Sequence, residues 1–343
     1  MVAALDIGIF AHDEAASIGT LIGDLARQDL IRDPAADVRV LILANGCTDN
    51  TVARARAALA ALPDSMIRDR IAVLDLPQPG KSRTVHRFIH DLSRAQAGVL
   101  GFMDADVHLP QSDTLARMLA MLDGQPGLRV VTSRPVKDVV HFDRPTGPVG
   151  RMIAVGGDGL TDWRKSICGQ LFMMRAAPAR RIALPAGLPV EDGFIRAMVL
   201  TDLLSGPQDL SRIDGDPAVF HVYESIRGIR NLIHHQTRIV VGSAVNAALF
   251  AHIRRHAPTE EQAHALLMAA AADPAWLGGM LKAELPRAPH GYVPFDFLTK
   301  RLRRGGRPGL KGKAVLAVGF GLDLLVWLRA SLRMAFRPSA GFW

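Results

Sequence analysis

The chain reads as an α/β protein, a doubly wound and mostly parallel sheet followed by a C-terminal helical region. Three observations predict this. Four short apolar runs alternate with three helical stretches within about 105 residues, the spacing of βαβ units. Each run gives way to a polar or glycine-bearing segment of the kind that lines a ligand crevice at strand carboxyl ends. From about Ile226 onward the pattern turns helical, broken by Pro and Gly near 286–294 and 305–309.

The elements follow in order. Leu5–Phe10 is a buried first strand, and Ser17–Gln28 is a helix with Ile18, Leu21, Ile22 and Leu25 on one face. Val38–Leu43 is a strand closed by the turn at Asn45-Gly46, followed by an Ala/Arg helix over Thr51–Leu62. Ile71–Leu76 is a third strand. Pro79-Gly80 breaks it, and a helix runs from Ser82 to Ala95. The fourth strand, Val99–Met103, ends in Asp104-Ala105-Asp106. Beyond it the pattern predicts a helix over Leu115–Leu122, strands over Arg129–Ser133, Ile167–Arg175 and Ala218–Tyr223, and a helix over Asp192–Leu204. Residues 134–165 read as a loop-rich segment able to reach over a substrate.

Composition narrows the class. The chain has 343 residues, 49% hydrophobic and 22% charged, enough for one large or two modest cores. Two cysteines, Cys47 and Cys168, build neither a disulfide framework nor a cysteine zinc site, which suits a reducing cytoplasm. The first residues lack the basic and apolar regions of a secretory signal. A net charge of +8 favours anionic partners. Aromatics are only 6% and do not interleave with the basic cluster Lys300–Lys313, so nucleic acid is not an expected partner.

Four strand ends carry the chemistry. Asp104 and Asp106 place two carboxylates where a buried strand opens, which suits a divalent cation bridging phosphates. Gly80-Lys81-Ser82 puts a cation and free backbone N–H groups at a helix start, an anion site without the Walker glycine spacing. After the second strand, Gly46 permits a tight turn, Asp49 can cap the next helix, and Asn45 is placed for base recognition. After the first strand, Glu14 could bond a ribose or base.

Taken in order, these motifs resemble the inverting family 2 glycosyltransferases with a GT-A nucleotide-sugar-binding fold. Phe10-Ala11-His12-Asp13-Glu14 stands at the family's first motif and Ala44–Thr51 at the Asp-Asp-Gly-Ser motif. Gly80–His86 stands at the Gly-Lys motif, Asp104-Ala105-Asp106 at the metal motif, Cys168–Arg175 at the acceptor-side motif and Glu191-Asp192 at the Glu-Asp pair. The resemblance spans roughly residues 5–245. It implies that 1–133 form a nucleotide-sugar-binding half and 134–228 the acceptor-binding half of the same domain, with 229–343 a helical, basic and apolar, membrane-associated C-terminal region. It also implies Mg²⁺ or Mn²⁺ on Asp106 and Asp104, with His221 a candidate third ligand and His234 another. Asp192 would be the general base and Glu191 its orienter. Donor contacts fall on Ala11, Glu14, Asn45, Lys81, Asp104 and Arg238, and acceptor contacts on Trp163, Gly169 and Gln170.

The departures are informative. Ala44-Asn45 replaces the acidic pair, so the carboxylate that the family uses for uracil is missing and Asn45 offers an amide. His235–Ile239 keeps only Arg238 of the Gln-x-x-Arg-Trp motif, which argues against a processive polysaccharide synthase.

At the C-terminus, Ala314–Leu328 is apolar for 15 residues apart from Asp323, short of the roughly 20 that span a bilayer. Arg329, Arg333 and Arg337 recur every fourth residue beside Leu328, Leu332 and Phe336, and Trp327 and Trp343 suit an interface. Either a core helix or a helix lying in the membrane surface fits, and the basic segment upstream favours the latter. The expectation is a metal-dependent enzyme moving one sugar from a nucleotide-diphosphate donor to a hydroxyl acceptor. That acceptor would be lipid-linked or a glycan precursor, and the enzyme peripheral on the anionic cytoplasmic membrane face. Two rivals are a nucleotidyltransferase, which gives Asp192 no natural role, and a degenerate membrane-bound scaffold, against which the retained Lys81, Asp104, Asp106 and Asp192 argue.

Overall fold

Runs of β-branched and aliphatic residues flanked by amphipathic helices place β1 (Leu5–Ala11), β2 (Val38–Asn45), β3 (Ile71–Leu76) and β4 (Val99–Asp104) side by side in parallel. All seven residues of β1 are buried, as a strand covered on both faces requires. The computed structural model describes residues 4–142, 162–226, 228–284, 293, 297–298 and 310–336. Among these, β5 is Val107–His108, β6 Val130–Thr132, β7 Arg134–Lys137, β8 Leu171–Arg175, β9 Ile213–Asp214 and β10 Phe220–Tyr223. The main sheet has the order β3-β2-β1-β4-β8-β6-β9, with β8 antiparallel to both neighbours, and a smaller sheet has the order β5-β10-β7. This is a mixed α/β architecture with a large, mostly parallel sheet and helices at the C-terminus.

Helices α1 (Ile18–Ala26), α2 (Thr51–Ala60), α3 (Lys81–Arg87) and α4 (Thr114–Gly124) belong to the sheet's crossovers. The helix expected to run to Ala95 is α-helical only to Arg87 and continues as a wider turn over Phe88–Leu92. There the Phe88 ring fills the space that a side chain on Gly8 would need, 2.9 Å from its Cβ position. Residues 134–137, expected in a loop, form β7, whereas 143–161 lie outside the described residues. The strand expected from Ile167 begins only at Leu171, because Cys168-Gly169-Gln170 turn across the strand ends. Away from the crevice, the buried Asp6 carboxylate pairs with Arg39 at 2.6 Å and Arg94 at 2.7 Å, fixing the start of β1.

α5 (Glu191–Thr201) ends in three residues of positive φ, Asp202, Leu203 and Leu204. Arg129 at 2.6 Å and Arg212 at 2.7 Å hold the Asp202 carboxylate in that turn. α6 (Ile229–His256), α7 (Glu260–Ala272), α8 (Trp276–Glu284) and α9 (Leu310–Phe336) follow. They do not stand apart from the sheet: Val240, Val245, Leu249, Leu267, Val326 and Ala330 share one buried cluster with Phe102, Phe172 and Phe194.

α9 answers the two expectations made for it by using both faces. Val326, Ala330 and Met334 are at most 1% exposed and Asp323 is buried, while Val318, Leu328 and Leu332 are 70%, 45% and 58% exposed. Trp327, expected at an interface, instead donates its indole N–H to the Val293 carbonyl at 3.0 Å and packs on the core. Arg337 and Trp343 lie outside the described residues, as do 300–309. Among the described residues no helix is long and apolar enough to cross a membrane.

The long α6 also fixes where α5 starts. A Cβ on Gly242 would stand 2.1 Å from Cγ2 of Val190, the residue before Glu191, and Asn246 Nδ2 donates to the Val190 carbonyl at 3.1 Å. Gly242→Ala should therefore cost about 1–3 kcal/mol by overpacking. Gly279→Ala, whose added methyl group meets nothing within 4 Å on α8, should gain up to about 1 kcal/mol from helix propensity. Urea denaturation of the two variants checks this contrast.

Candidate active site

The crevice is assembled from the carboxyl ends of β1, β2 and β4 and the starts of α3 and α5. Gly46 (φ 61) and Gly80 (φ 129) make the turns that feed it, and any side chain on Gly46 would collide with Pro79, whose Cβ lies 2.6 Å from the Cβ position. Lys81, the first residue of α3, extends into a buried gap. Its Nζ lies 2.6 Å from Asp104 Oδ1 and 2.9 Å from Glu191 Oε1. One ammonium thus ties the end of β4 to the start of α5.

The floor beneath this triad is apolar. Phe10, Val85, Phe102, Phe172 and Ile195 line a small cavity with Lys81, Gly169, Glu191 and Asp192. Phe102 stacks on Phe172 with centroids 4.6 Å apart, and Phe88 meets Phe102 edge-on at 5.4 Å. Low polarity sharpens every charge above it. Burial raises the Asp104 carboxyl to about 7, assisted by the neighbouring Asp106 and Glu191 charges, although the Lys81 ammonium pulls against them. Burial also works against ionised Glu191, but its contact with Lys81 outweighs this and keeps it below the usual carboxylate range. Asp192 is shifted upward, first by burial and then by the negative charge of Glu191.

Asp192 opens toward the Cys168-Gly169-Gln170 turn that leads into β8. A Cβ on Gly169 would stand 3.0 Å from its Oδ2, so any larger residue there would press on that carboxylate. Its Oδ1 accepts the Gly193 N–H at 2.7 Å at the positive end of α5. The backbone carbonyl of Gln170 accepts the Asp104 N–H at 2.9 Å, so one loop abuts both Asp104 and Asp192. The Gln170 Oε1 accepts from Cys168 Sγ at 2.7 Å.

Other residues singled out in the sequence take up different places. Asn45, expected to read a base, is 2% exposed, and its amide is spent on the protein. Nδ2 donates to the Ala11 carbonyl at 2.8 Å and Oδ1 accepts the Gly80 N–H at 3.1 Å, so Asn45 is a strut joining three strand ends. Ala11 contributes that buried carbonyl. Trp163 lies in a short turn against Gly215, where a Cβ would meet its ring at 2.5 Å, and Arg196 of α5 ties that turn down through the Lys165 carbonyl at 2.9 Å. Arg238 of α6 is half-buried and its charge reaches both Glu191 and Asp192.

His221, expected near the metal pair, is wholly buried, 3.9 Å from Cys168 Sγ, and burial lowers it to about 3, so it is neutral. The register Val222↔His108 and Tyr223↔Val107 carries Glu224, one residue on, opposite Asp106. Glu14 faces the same carboxylates. Burial raises it to about 7, and the Asp106, Asp104 and Glu224 charges add to that shift. Sequence reading missed Glu224, which only the pairing register brings to the site. It also missed Asp13, whose left-handed backbone (φ 57) lets its carboxylate accept the Thr48 N–H at 2.6 Å and shape the loop after β2. A polar residue after an apolar strand was the available signal for Asp13.

Two outcomes follow. Lys81→Met leaves Asp104 and Glu191 buried without a counter-ion and should cost about 3–5 kcal/mol near neutral pH, less at pH 5 where the carboxyls can protonate, as read by denaturant unfolding. For the metal-free protein, Glu14 binds its proton more tightly folded than unfolded. Folded stability should therefore fall as pH rises from about 4.5 to about 7. Glu14→Gln should flatten that part of the Tm–pH curve.

The fold has counterparts among known proteins. No curated protein matches the chain in sequence. Among solved structures, a mannosyltransferase from Pyrobaculum calidifontis, in complex with GDP-mannose and Mn²⁺, superposes with a TM-score of 0.54. It is 17% identical, over 98% of this chain and 88% of that one. A glucosyl-3-phosphoglycerate synthase from Mycobacterium tuberculosis, in complex with Mn²⁺, UDP and its glucosylated product, is also 17% identical. That match covers 71% of this chain and 80% of the other at a TM-score of 0.49. The family model for glycosyl transferase family 2 matches residues 6–181, which takes in the Lys81–Asp104 pair and the Gly169 loop. With that match over half of its length, the chain belongs to glycosyl transferase family 2 and is a glycosyltransferase.

Proposed function

We propose that the protein transfers a single sugar, with inversion, from a nucleotide-diphosphate donor to a hydroxyl acceptor, and that a divalent ion assists. The observation that carries this reading is the placement of Asp192. Its carboxylate stands beside Gly169 above an apolar floor, shifted toward a higher pKa, and adjoins the Lys81–Glu191 pair. A carboxylate so placed can take the proton of an acceptor hydroxyl. That oxygen bonds to the anomeric carbon as the bond from this carbon to the diphosphate breaks, and the nucleoside diphosphate leaves with the electron pair. Glu191, held ionised by Lys81, takes no proton itself, and its negative charge raises Asp192.

Asp104 and Asp106 fit Mg²⁺ or Mn²⁺ in their chemistry. They are hard oxygen donors in a group of carboxylates in which burial first, and then the neighbouring negative charges, raise Asp104 and Glu14. When bound, the ion would neutralise charge on the departing diphosphate. With Asn45 used as a strut and the Ala11 carbonyl holding it, donor recognition falls to the loop shaped by Asp13. The basic charge and the exposed apolar face of α9 support a lipid-linked acceptor and peripheral attachment to an anionic membrane face. Residues 1–133 would then hold the donor and 134–228 the acceptor.

Asp192→Asn is the discriminating variant. It should lower kcat by about 10²–10⁴-fold, while the thermal shift produced by the cognate nucleotide (UDP, GDP, CMP or dTDP) with Mn²⁺ stays within about twofold of wild type in affinity. Unchanged turnover would remove Asp192 from the mechanism. Absence of any nucleotide shift in folded wild-type protein would refute the donor assignment.

A further inference from the structure

One group of charges is left over from the site described above. On α6, Arg230, His234 and Arg238 follow one another at four-residue spacing and so share a face. On α9, Arg329 and Arg333 do the same. The two helices pack together through the cluster that holds Val240, Val241, Val326, Ala330 and Met334. This packing brings the two arginine stripes to one place, around His234. Partial burial holds His234 below its ordinary pKa, and so do the charges of Arg333, Arg329, Arg238 and Arg230.

Like charges gathered in this way repel one another. Among the described residues, Arg230, Arg238 and Arg329 make neither an ion pair nor a hydrogen bond. The cluster has two distinct sides. Toward the sheet, the Arg238 charge reaches Glu191 and Asp192. Toward solvent, α9 presents Leu324, Leu325, Leu328 and Leu332, exposed by 38%, 43%, 45% and 58%. Guanidinium groups are forked donors that match phosphate oxygens. A cationic stripe beside exposed leucines is the surface a helix presents when it lies in a membrane interface.

We propose that Arg230, Arg238, Arg329 and Arg333 seat the multiply charged phosphate headgroup of a membrane lipid that carries the acceptor, with the lipid chains against the leucine face of α9. This rests on the transferase reading, because it takes the acceptor hydroxyl at Asp192 to be tethered through that phosphate. The seat fixes the lipid, and Arg238 marks the edge it shares with the catalytic carboxylates. Four cations suit a diphosphate that bridges lipid and acceptor, with close to two charges, better than the single charge of a bridging phosphodiester; phosphatidic acid serves as the two-charge probe headgroup.

Vesicle flotation with the full-length protein at 150 mM salt tests the seat. The vesicles are phosphatidylcholine alone, phosphatidylcholine with 5 mol% phosphatidic acid, and phosphatidylcholine with 10 mol% phosphatidylglycerol to match the charge. Phosphatidic acid vesicles should bind at least about tenfold more tightly than the charge-matched set. The double variant Arg329→Gln/Arg333→Gln should lose that preference. Arg329→Lys/Arg333→Lys, which keeps the charge and loses the fork, should lose most of it. Leu328→Ser/Leu332→Ser should weaken binding to phosphatidic acid vesicles by about tenfold or more. Equal binding to the two anionic vesicles would overturn the proposal in favour of a generic charged surface. A preference that survives Arg329→Gln/Arg333→Gln would overturn it too, as would binding only to soluble inorganic phosphate. The Mn²⁺–nucleotide thermal shift of the wild-type protein is read in parallel. If it persists while the vesicle preference fails, the seat is wrong and the transferase reading stands. If it is absent while the preference holds, the transferase reading is the one that fails.

Discussion

The buried ammonium of Lys81 is the contact on which the rest of the site depends. It lies between Asp104 and Glu191, two carboxylates from elements 87 residues apart in sequence, over a floor of stacked phenylalanines. A charge in such a place is tolerated only when it is paired. The pairing therefore locks three things at once: the register of α3 against β4, the position of α5 against the sheet, and the ionised state of Glu191. Asp192 inherits its setting from this lock. With the negative charge of Glu191 held beside it, and Gly193 and Gly169 closing around its oxygens, it is both constrained and biased toward holding a proton.

The C-terminal helices complete the lock. Gly242 and Asn246 of α6 hold Val190, the residue before Glu191, by its side chain and its carbonyl. α9 in turn packs on α6. The part of the chain that faces solvent with leucines and arginines is thereby coupled, through a single helix, to the carboxylates at the start of α5.

Much of this was visible in the amino-acid order. Alternating apolar runs and helices specified the parallel β1–β4 core, because strands buried on both faces leave an unmistakable hydrophobic signature. The strand-end residues Lys81, Asp104, Glu191 and Asp192 stood out because each follows such a run or opens a helix. Other readings failed for reasons that are equally physical. Asn45 looked like a recognition residue, but whether an amide faces a ligand or the backbone depends on which loop crosses it, here the one at Gly80. His221 looked like a ligand, but a side chain in a short strand points in or out according to register, and the register turned it inward against Cys168.

By itself the sequence determined the fold class, the identities of the charged residues at the strand ends and the amphipathic character of the last helix. These depend on local periodicity and on turn chemistry, which neighbouring residues encode. Only the tertiary structure decided which of these charges meet: Lys81 with both Asp104 and Glu191, Glu224 opposite Asp106, and the arginines of α6 with those of α9. Each of these meetings joins residues distant in the chain, and the strand register and helix packing that bring them together are set by the whole core.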